Sequence, residues 1–218
     1  MMERKKILKT YTSWIILINV LAFFLVLALG FFSSPDCNQT ICKNLAIQPN
    51  GIIHEYKVWT IITSMFMHGS LNHLLFNMIS LMFIGGFVER LIGKKRFITF
   101  YFSAGILASL LFVLVSFLTG MDLNIYAVGA SGAIFGLGGL LAVLTPKLPV
   151  LVFFVIPLPM WAAMIGMLGV LWILSATAGL PIGNIAHLGG LLTGVFYGFY
   201  LKKKYPKKTQ MIARYFSK

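Results

Sequence analysis

Acidic residues are nearly missing from this 218-residue chain, which has five, Glu3, Asp36, Glu55, Glu89 and Asp122, against 18 Lys and Arg. Charge of either sign is scarce, at 11% of residues where soluble domains carry roughly a quarter. With 59% of the chain hydrophobic, there is no polar coat to turn towards water, which excludes a soluble globular domain. Neither Asp falls inside a long apolar run, so the chain lacks the paired buried aspartates of an aspartyl intramembrane protease. It lacks the HExxH string of a zinc protease helix, internal repeats, and charges within its apolar runs of the kind that mark many transporters. It has two cysteines, Cys37 and Cys42, which fall in the same loop; a short disulfide and two reduced thiols are both compatible with that spacing.

What is present is length of hydrocarbon. Six apolar runs of spanning length, about 20 residues each, read at 13–32, 66–86, 97–118, 128–145, 150–174 and 184–201. They predict an all-α, polytopic membrane protein of six transmembrane helices. The domain plan is a basic N-terminus over 1–12, a membrane-embedded unit over 13–201 with a long external loop at about 33–58, and a basic tail over 202–218. Of the 18 basic residues, 16 lie before the first run, between the second and third, between the fourth and fifth, or after the sixth; only Lys43 and Lys57 lie on the other side. The positive-inside rule then puts both termini in the cytoplasm. The basic excess is thus topology with some attraction to anionic lipid, and nucleic acid is not the expected partner. A cleavable signal peptide is the competing reading of the N-terminus, with Ala28 and Gly30 as its small pair, but removing the first run spoils the alternation of charge. Compact size and no organellar leader predict a prokaryotic cell membrane.

Polar side chains at membrane depth are functional candidates by default. The informative ones are His68, His73 and Asn77 in the second run, Ser131 in the fourth and His187 in the sixth, all near the outer ends of their spans. On a continuous helix His73 and Asn77 share a face, while His68 points about 140 degrees away. Small residues recur at helical spacing in the fourth run (Gly129, Gly132, Gly136, Gly139) and in the sixth (Ala186, Gly190, Gly194, Gly198), as where helix backbones approach closely. If these stripes face each other, Ser131 meets His187.

A serine hydroxyl needs a neighbouring base to become a nucleophile, and His187 fits that role for Ser131. With no carboxylate at depth the pair is a dyad, its ring oriented by packing or neutral hydrogen bonds; Phe135, four residues after Ser131, can stack on it. The Ser131 N–H near a helix start, the Asn77 amide and the His73 ring supply donors for an oxyanion. The polar His68 end of the second helix can hold the water that hydrolysis needs. Three histidines also allow Zn²⁺ or Cu²⁺ binding, although no carboxylate joins them. The packing alternative makes Ser131 a helix-contact residue and the others interhelical hydrogen-bond partners.

The string GASG (Gly129, Ala130, Ser131, Gly132), the pattern His68, His73, Asn77 in HGSLNHLLFN, and AHLGG carrying Ala186, His187 and Gly190 occur in that family's order on alternate spans, and together they resemble the rhomboid intramembrane serine proteases. The resemblance implies Ser131 as nucleophile, His187 as general base and His73 with Asn77 as oxyanion donors. It further implies cleavage of single-span membrane proteins near the outer end of their transmembrane segment, after a small residue, with no metal or cofactor. Family members often carry Trp-Arg in the first loop where this chain has Trp59-Thr60, and often a Tyr where it has Phe135. Substrate admission is expected between the second and fifth spans, the fifth weakened or kinked by Pro157 and Pro159. A non-catalytic relative that binds membrane clients is the alternative, and such relatives typically lack the Ser or His present here.

Overall fold

The computed structural model describes residues 10–29, 40–152, 155–179 and 183–216; Arg4, Lys5, Lys6, Lys9, Cys37 and the Cys42 side chain lie outside them. Helix α1 (Tyr11–Ala28) starts at Thr10, whose Oγ1 accepts the Ser13 N–H at 3.1 Å and satisfies one donor that a helix start leaves open. Its buried positions Thr12, Ile15, Asn19, Phe23 and Val26 form one stripe, while Trp14, Ile18, Leu21, Phe24 and Leu25 are exposed and as apolar as the stripe. A helix whose outward face is that apolar is built to meet lipid.

The long loop folds into two short helices, α2 (Thr40–Leu45) and α3 (Pro49–Glu55), followed by α4 (Thr60–Thr63) and a 3-10 turn over Ser64–Phe66. Helix α5 (Leu71–Ser80) then runs through a π turn at Leu81–Gly85 into α6 (Gly86–Ile92), one 22-residue helix in all. The second apolar run is therefore helical from Leu71 and not from 66. Met67 is extended and Ser70 caps the helix by accepting the His73 N–H at 3.1 Å, which leaves His68 in the lead-in segment. The π turn adds a residue to one turn and resets the facing of those after it, where Val88 and Glu89 are buried.

Helix α7 (Lys94–Thr119) follows Gly93, and α8 (Ser131–Leu144) follows an irregular segment. Next comes a two-stranded antiparallel hairpin, β1 (Pro149–Val152) with β2 (Ile156–Pro159), paired from Pro149↔Pro159 to Val152↔Ile156. The chain is mostly helical as expected, and the hairpin corrects the start of the span read at 150–174. Ile156 and Leu158 each precede a proline, which pushes them to extended backbone. Helix α9 (Met160–Ala178) starts only after Pro159, so Pro157 and Pro159 precede the helix and do not kink it. Helix α10 (Asn184–Lys204) leads to α11 (Pro206–Tyr215), so the basic tail is helical and packs Phe216 edge-on against Phe87 of α6.

Four helices among the described residues are long and apolar enough to cross a membrane: α1, Leu71–Ile92, α7 and α9. The two other runs are α8, whose 14 residues span roughly 21 Å, and the glycine-rich α10. Helix α8 is the centre of the protein, buried on all sides from Gly132 to Leu141 and packed by α7, α9 and α10. A helix apolar all round is the one that the others surround.

One acid is spent on the frame. The buried Glu89 carboxylate accepts the Tyr11 and Thr12 N–H groups at 2.9 Å each and the Thr12 hydroxyl at 2.7 Å, capping α1 from the end of α6. Glu89→Ala should lower stability by about 2 kcal/mol, the scale of hydrogen bonds to a charged group, and Thr12→Val by less. Thermal unfolding in detergent reads both, and an unchanged midpoint in Glu89→Ala would show that the cap adds nothing.

Candidate active site

Glycine sets the geometry at the middle of the fold. A Cβ on Gly190 would strike the Gly132 carbonyl oxygen, and one on Gly194 the Gly136 carbonyl oxygen, so α8 and α10 touch backbone to backbone. The small-residue stripes of the fourth and sixth runs do face each other, except that Gly129 precedes α8 and belongs to the turn before it. From the third side, Ala108 and Ala104 of α7 meet Gly132 and Gly136.

At the Ser131 end of this seam the His187 Nε2 lies 2.8 Å from the Ser131 Oγ. The Phe135 ring stacks on His187, with centroids 4.7 Å apart and planes 20° from parallel. His187 is buried and Ser131 half-buried on the wall of a cleft that also takes in His68, His73, Asn77 and Gly129. With Nε2 as acceptor from the serine, the ring proton sits on Nδ1, which is buried and has no hydrogen-bond partner among the described residues. The buried Asn184 Oδ1 is likewise unpartnered. It starts α10 one turn before His187, and helical side chains lean over the preceding turn. Sequence reasoning passed over Asn184; the signal was a polar residue three positions before the histidine on the same helix.

The donors lie across the cleft. A Cβ on Gly129 would come 2.8 Å from His73 Nε2 and 3.4 Å from Asn77 Nδ2, which fixes both groups beside the backbone that leads into Ser131. Gly129 has φ +124, a conformation that side chains rarely adopt, so glycine is required there on two counts. The Asn77 Nδ2 is buried with no hydrogen-bond partner among the described residues. His68 and His73 have ring centroids 5.1 Å apart, which corrects the expectation that they point about 140 degrees apart. That expectation assumed a continuous helix. Among the described residues no three His, Cys, Asp or Glu side chains gather as metal ligands do.

The loop that carries α2 and α3 holds the segment that precedes the serine. Ile47 and Ala127 exchange backbone hydrogen bonds at 3.1 and 2.8 Å, and Asn50 Nδ2 donates to Asn124 Oδ1 at 2.7 Å. The Gly129 N–H donates to Ser64 O at 2.9 Å. The loop is itself tied down by Trp59 Nε1 donating to Asn44 O and Thr63 Oγ1 to Leu45 O, each at 2.8 Å. Thr60 is buried, and its hydroxyl closes on Lys57 O at 2.6 Å.

A family model described as Rhomboid domain matches residues 55–204, a stretch that contains His68, His73, Asn77, Gly129, Ser131 and His187. The chain belongs to the rhomboid family. It is 31% identical over 196 residues to Rhomboid protein 1, mitochondrial, of Saccharomyces cerevisiae, covering 88% of this chain and 54% of that protein. It is 37% identical over 165 residues to RHOMBOID-like protein 2 of Arabidopsis thaliana, covering 75% and 49%. It is 31% identical over 192 residues to Rhomboid protease GluP of Bacillus subtilis, covering 86% and 34%. The chain spans about half the length of the first two of these curated relatives and about a third of the third. As a rhomboid it is an integral membrane protein of a family known as intramembrane serine proteases.

The distance between Ser131 and His187 depends on how closely α8 meets α10, so a side chain between them acts on the site from below. Gly194→Val should push the helices apart and cut serine labelling by a fluorophosphonate at least tenfold, with the protein still extracted as a monodisperse species. Labelling equal to the unsubstituted chain would show that the seam does not govern the pair.

Proposed function

We propose that this rhomboid is a serine endopeptidase that cleaves single-span membrane proteins near the outer end of their transmembrane segment, using Ser131 and His187. The observation that carries the reading is the 2.8 Å Ser131–His187 hydrogen bond facing an unpartnered Asn77 amide in one cleft. His187 Nε2 takes the hydroxyl proton as Ser131 Oγ attacks the scissile carbonyl carbon, and later returns it to the leaving amine. The oxyanion formed at that carbonyl is held by Asn77 Nδ2, by a His73 ring N–H and by the Ser131 N–H at the start of α8. Water then hydrolyses the acyl-serine, with His187 again as base; the His68 and His73 end of the cleft is its place of retention. Phe135 packs the His187 ring, and no step requires a metal or cofactor.

Cleavage at this site calls for an extended peptide next to a helix start, and the cleft offers a way in from the bilayer. Its lining draws Phe76, Phe83 and Phe87 from Leu71–Ile92 and Met164, Met167 and Trp172 from α9. The two helices pack elsewhere, the first against α1 and α8 and the second against α8 and α10. We read α8 and α10 as further, shorter or glycine-rich spans, giving six in all, with both termini cytoplasmic on the asymmetry of charge. The site then opens towards the outer face.

Ser131→Ala and His187→Ala should each reduce cleavage of a single-span substrate to background in detergent with EDTA present, while Asn77→Ala should lose about 10²–10³-fold, or 2.7–4 kcal/mol. Product from Ser131→Ala equal to that of the unsubstituted protein would end the serine-protease reading. No product and no fluorophosphonate labelling from the unsubstituted chain would favour client binding instead. Cysteines at Phe76 and Trp172, joined by a cleavable bifunctional reagent in a chain with Cys37 and Cys42 replaced by Ser, should block cleavage until the linker is cut. Undiminished activity in the linked protein rules out admission between these helices.

A further inference from the structure

The tail helix α11 has two faces. Thr209, Ile212, Ala213 and the following Phe216 turn towards the protein, where Phe216 meets Phe87. The opposite face carries Met211 and Tyr215, 68% and 75% exposed, one turn apart, with the exposed cations Lys207, Lys208 and Arg214 around them. Between α6 and α11 runs an apolar groove of about 550 Å³ lined by Phe87, Leu91, Met211, Ile212, Tyr215 and Phe216, with Arg90 as its one charged wall. Arg90 Nε donates to Gly86 O at 3.1 Å, which leaves the rest of its guanidinium at the rim.

Among the described residues these cations have nothing acidic to meet. No Asp or Glu follows Asp122, and the acid beside the groove, Glu89, is taken up by α1. Lys207, Lys208 and Arg214 form no ion pair with any described residue. Their neighbours differ: Lys204 Nζ donates to Tyr200 Oη at 2.8 Å and Arg96 Nη2 to Tyr205 Oη at 2.9 Å, bracing the junction from which α11 departs. The joint thus presents exposed apolar side chains, ringed by positive charge that no described acid compensates, beside the end of the Leu71–Ile92 helix. That combination is complementary to an anionic lipid surface, where apolar groups enter the acyl boundary and cations meet phosphate.

We propose that the α6–α11 groove and the free face of α11 bind an anionic phospholipid of the adjoining leaflet. Its phosphate is held by Arg90, Lys207, Lys208 and Arg214, and an acyl chain lies along Phe87, Leu91, Met211 and Ile212. The assignment of that leaflet as cytoplasmic rests on the orientation proposed above; the site itself does not. The test is native mass spectrometry of the detergent-purified full chain with equal amounts of phosphatidylglycerol and phosphatidylcholine of matched acyl chains. The unsubstituted protein should retain phosphatidylglycerol preferentially, and each of Lys207→Gln, Lys208→Gln and Arg214→Gln should reduce that preference by roughly fivefold, the factor for one cation near an anionic surface. Met211→Ser with Tyr215→Ser should weaken retention of both lipids. Because all these side chains are exposed, thermal unfolding should not change, and cleavage in detergent should match the unsubstituted chain. Equal retention of the two lipids, or a preference that survives loss of all three cations, overturns the proposal. Detergent has no sidedness, so a misassigned orientation leaves this result intact and is read separately by a reporter fused after Lys218.

Discussion

The backbone contact between α8 and α10 is the constraint from which the rest of the structure follows. Two helices can approach this closely only if the facing positions lack side chains, and hydrocarbon gives no hydrophobic drive to hold them together. Dispersion between matched surfaces and small-residue packing must do it instead. The result is a seam without adjustable parts. A serine and a histidine at one end of it, on separate helices and 56 positions apart in sequence, are held at hydrogen-bond distance with no carboxylate among the described residues to orient the ring. Among the described residues, stacking by Phe135 supplies what orientation the ring has.

A rigid seam fixes only two of the groups. His73 and Asn77, the proposed oxyanion donors, come from α5, and their placement depends on two further devices. Ser70 caps that helix just where His73 emerges, and Gly129 opens the space into which His73 and Asn77 project. The segment carrying Gly129 is irregular and would be free to wander, but it is pinned by Ile47, Asn50 and Ser64. The loop that carries α2 and α3 is thus a brace for the residues before Ser131, anchored through Trp59 and Thr63 to the carbonyls of Asn44 and Leu45. A threonine at position 60 serves this purpose by closing on Lys57 O, so an arginine after Trp59 is not needed to hold the loop.

Much of this was legible in the sequence because the signals were periodic or compositional. Stripes of small residues announced which helices meet, and the spacing of His73 to Asn77 placed both on one face. Where the signal depended on a break in the period, reading failed. Hydropathy alone runs through Pro157 and Pro159, although the residues before them resist the helical basin, so a hairpin was mistaken for the start of a span. The same smoothing carried the second helix back over Gly69 and Ser70 and put His68 on the wrong side of His73. The basic tail is helical over Pro206–Tyr215 and meets α6 through Phe216 and Phe87, a partner that a one-dimensional profile does not show.

Rigidity and access must be divided between different parts of one small protein. In the proposed protease a substrate helix must be admitted beside Ser131, yet α8 and α10 cannot part without losing the Ser131–His187 hydrogen bond. The structure separates the two demands. Helix α8 is buried nearly throughout, whereas α9 buries only Met160 and Ala163 and turns Trp161, Ile165 and Ile173 outwards. Its contact with α8 at Gly138 is made by the Met164 thioether, a flexible side chain against bare backbone, and not by backbone on backbone. Moving α9 therefore exchanges side-chain contacts for lipid contacts of similar apolar character, while moving α10 breaks a fit that nothing in lipid replaces. Access through the α9 side is the motion that this architecture opposes least.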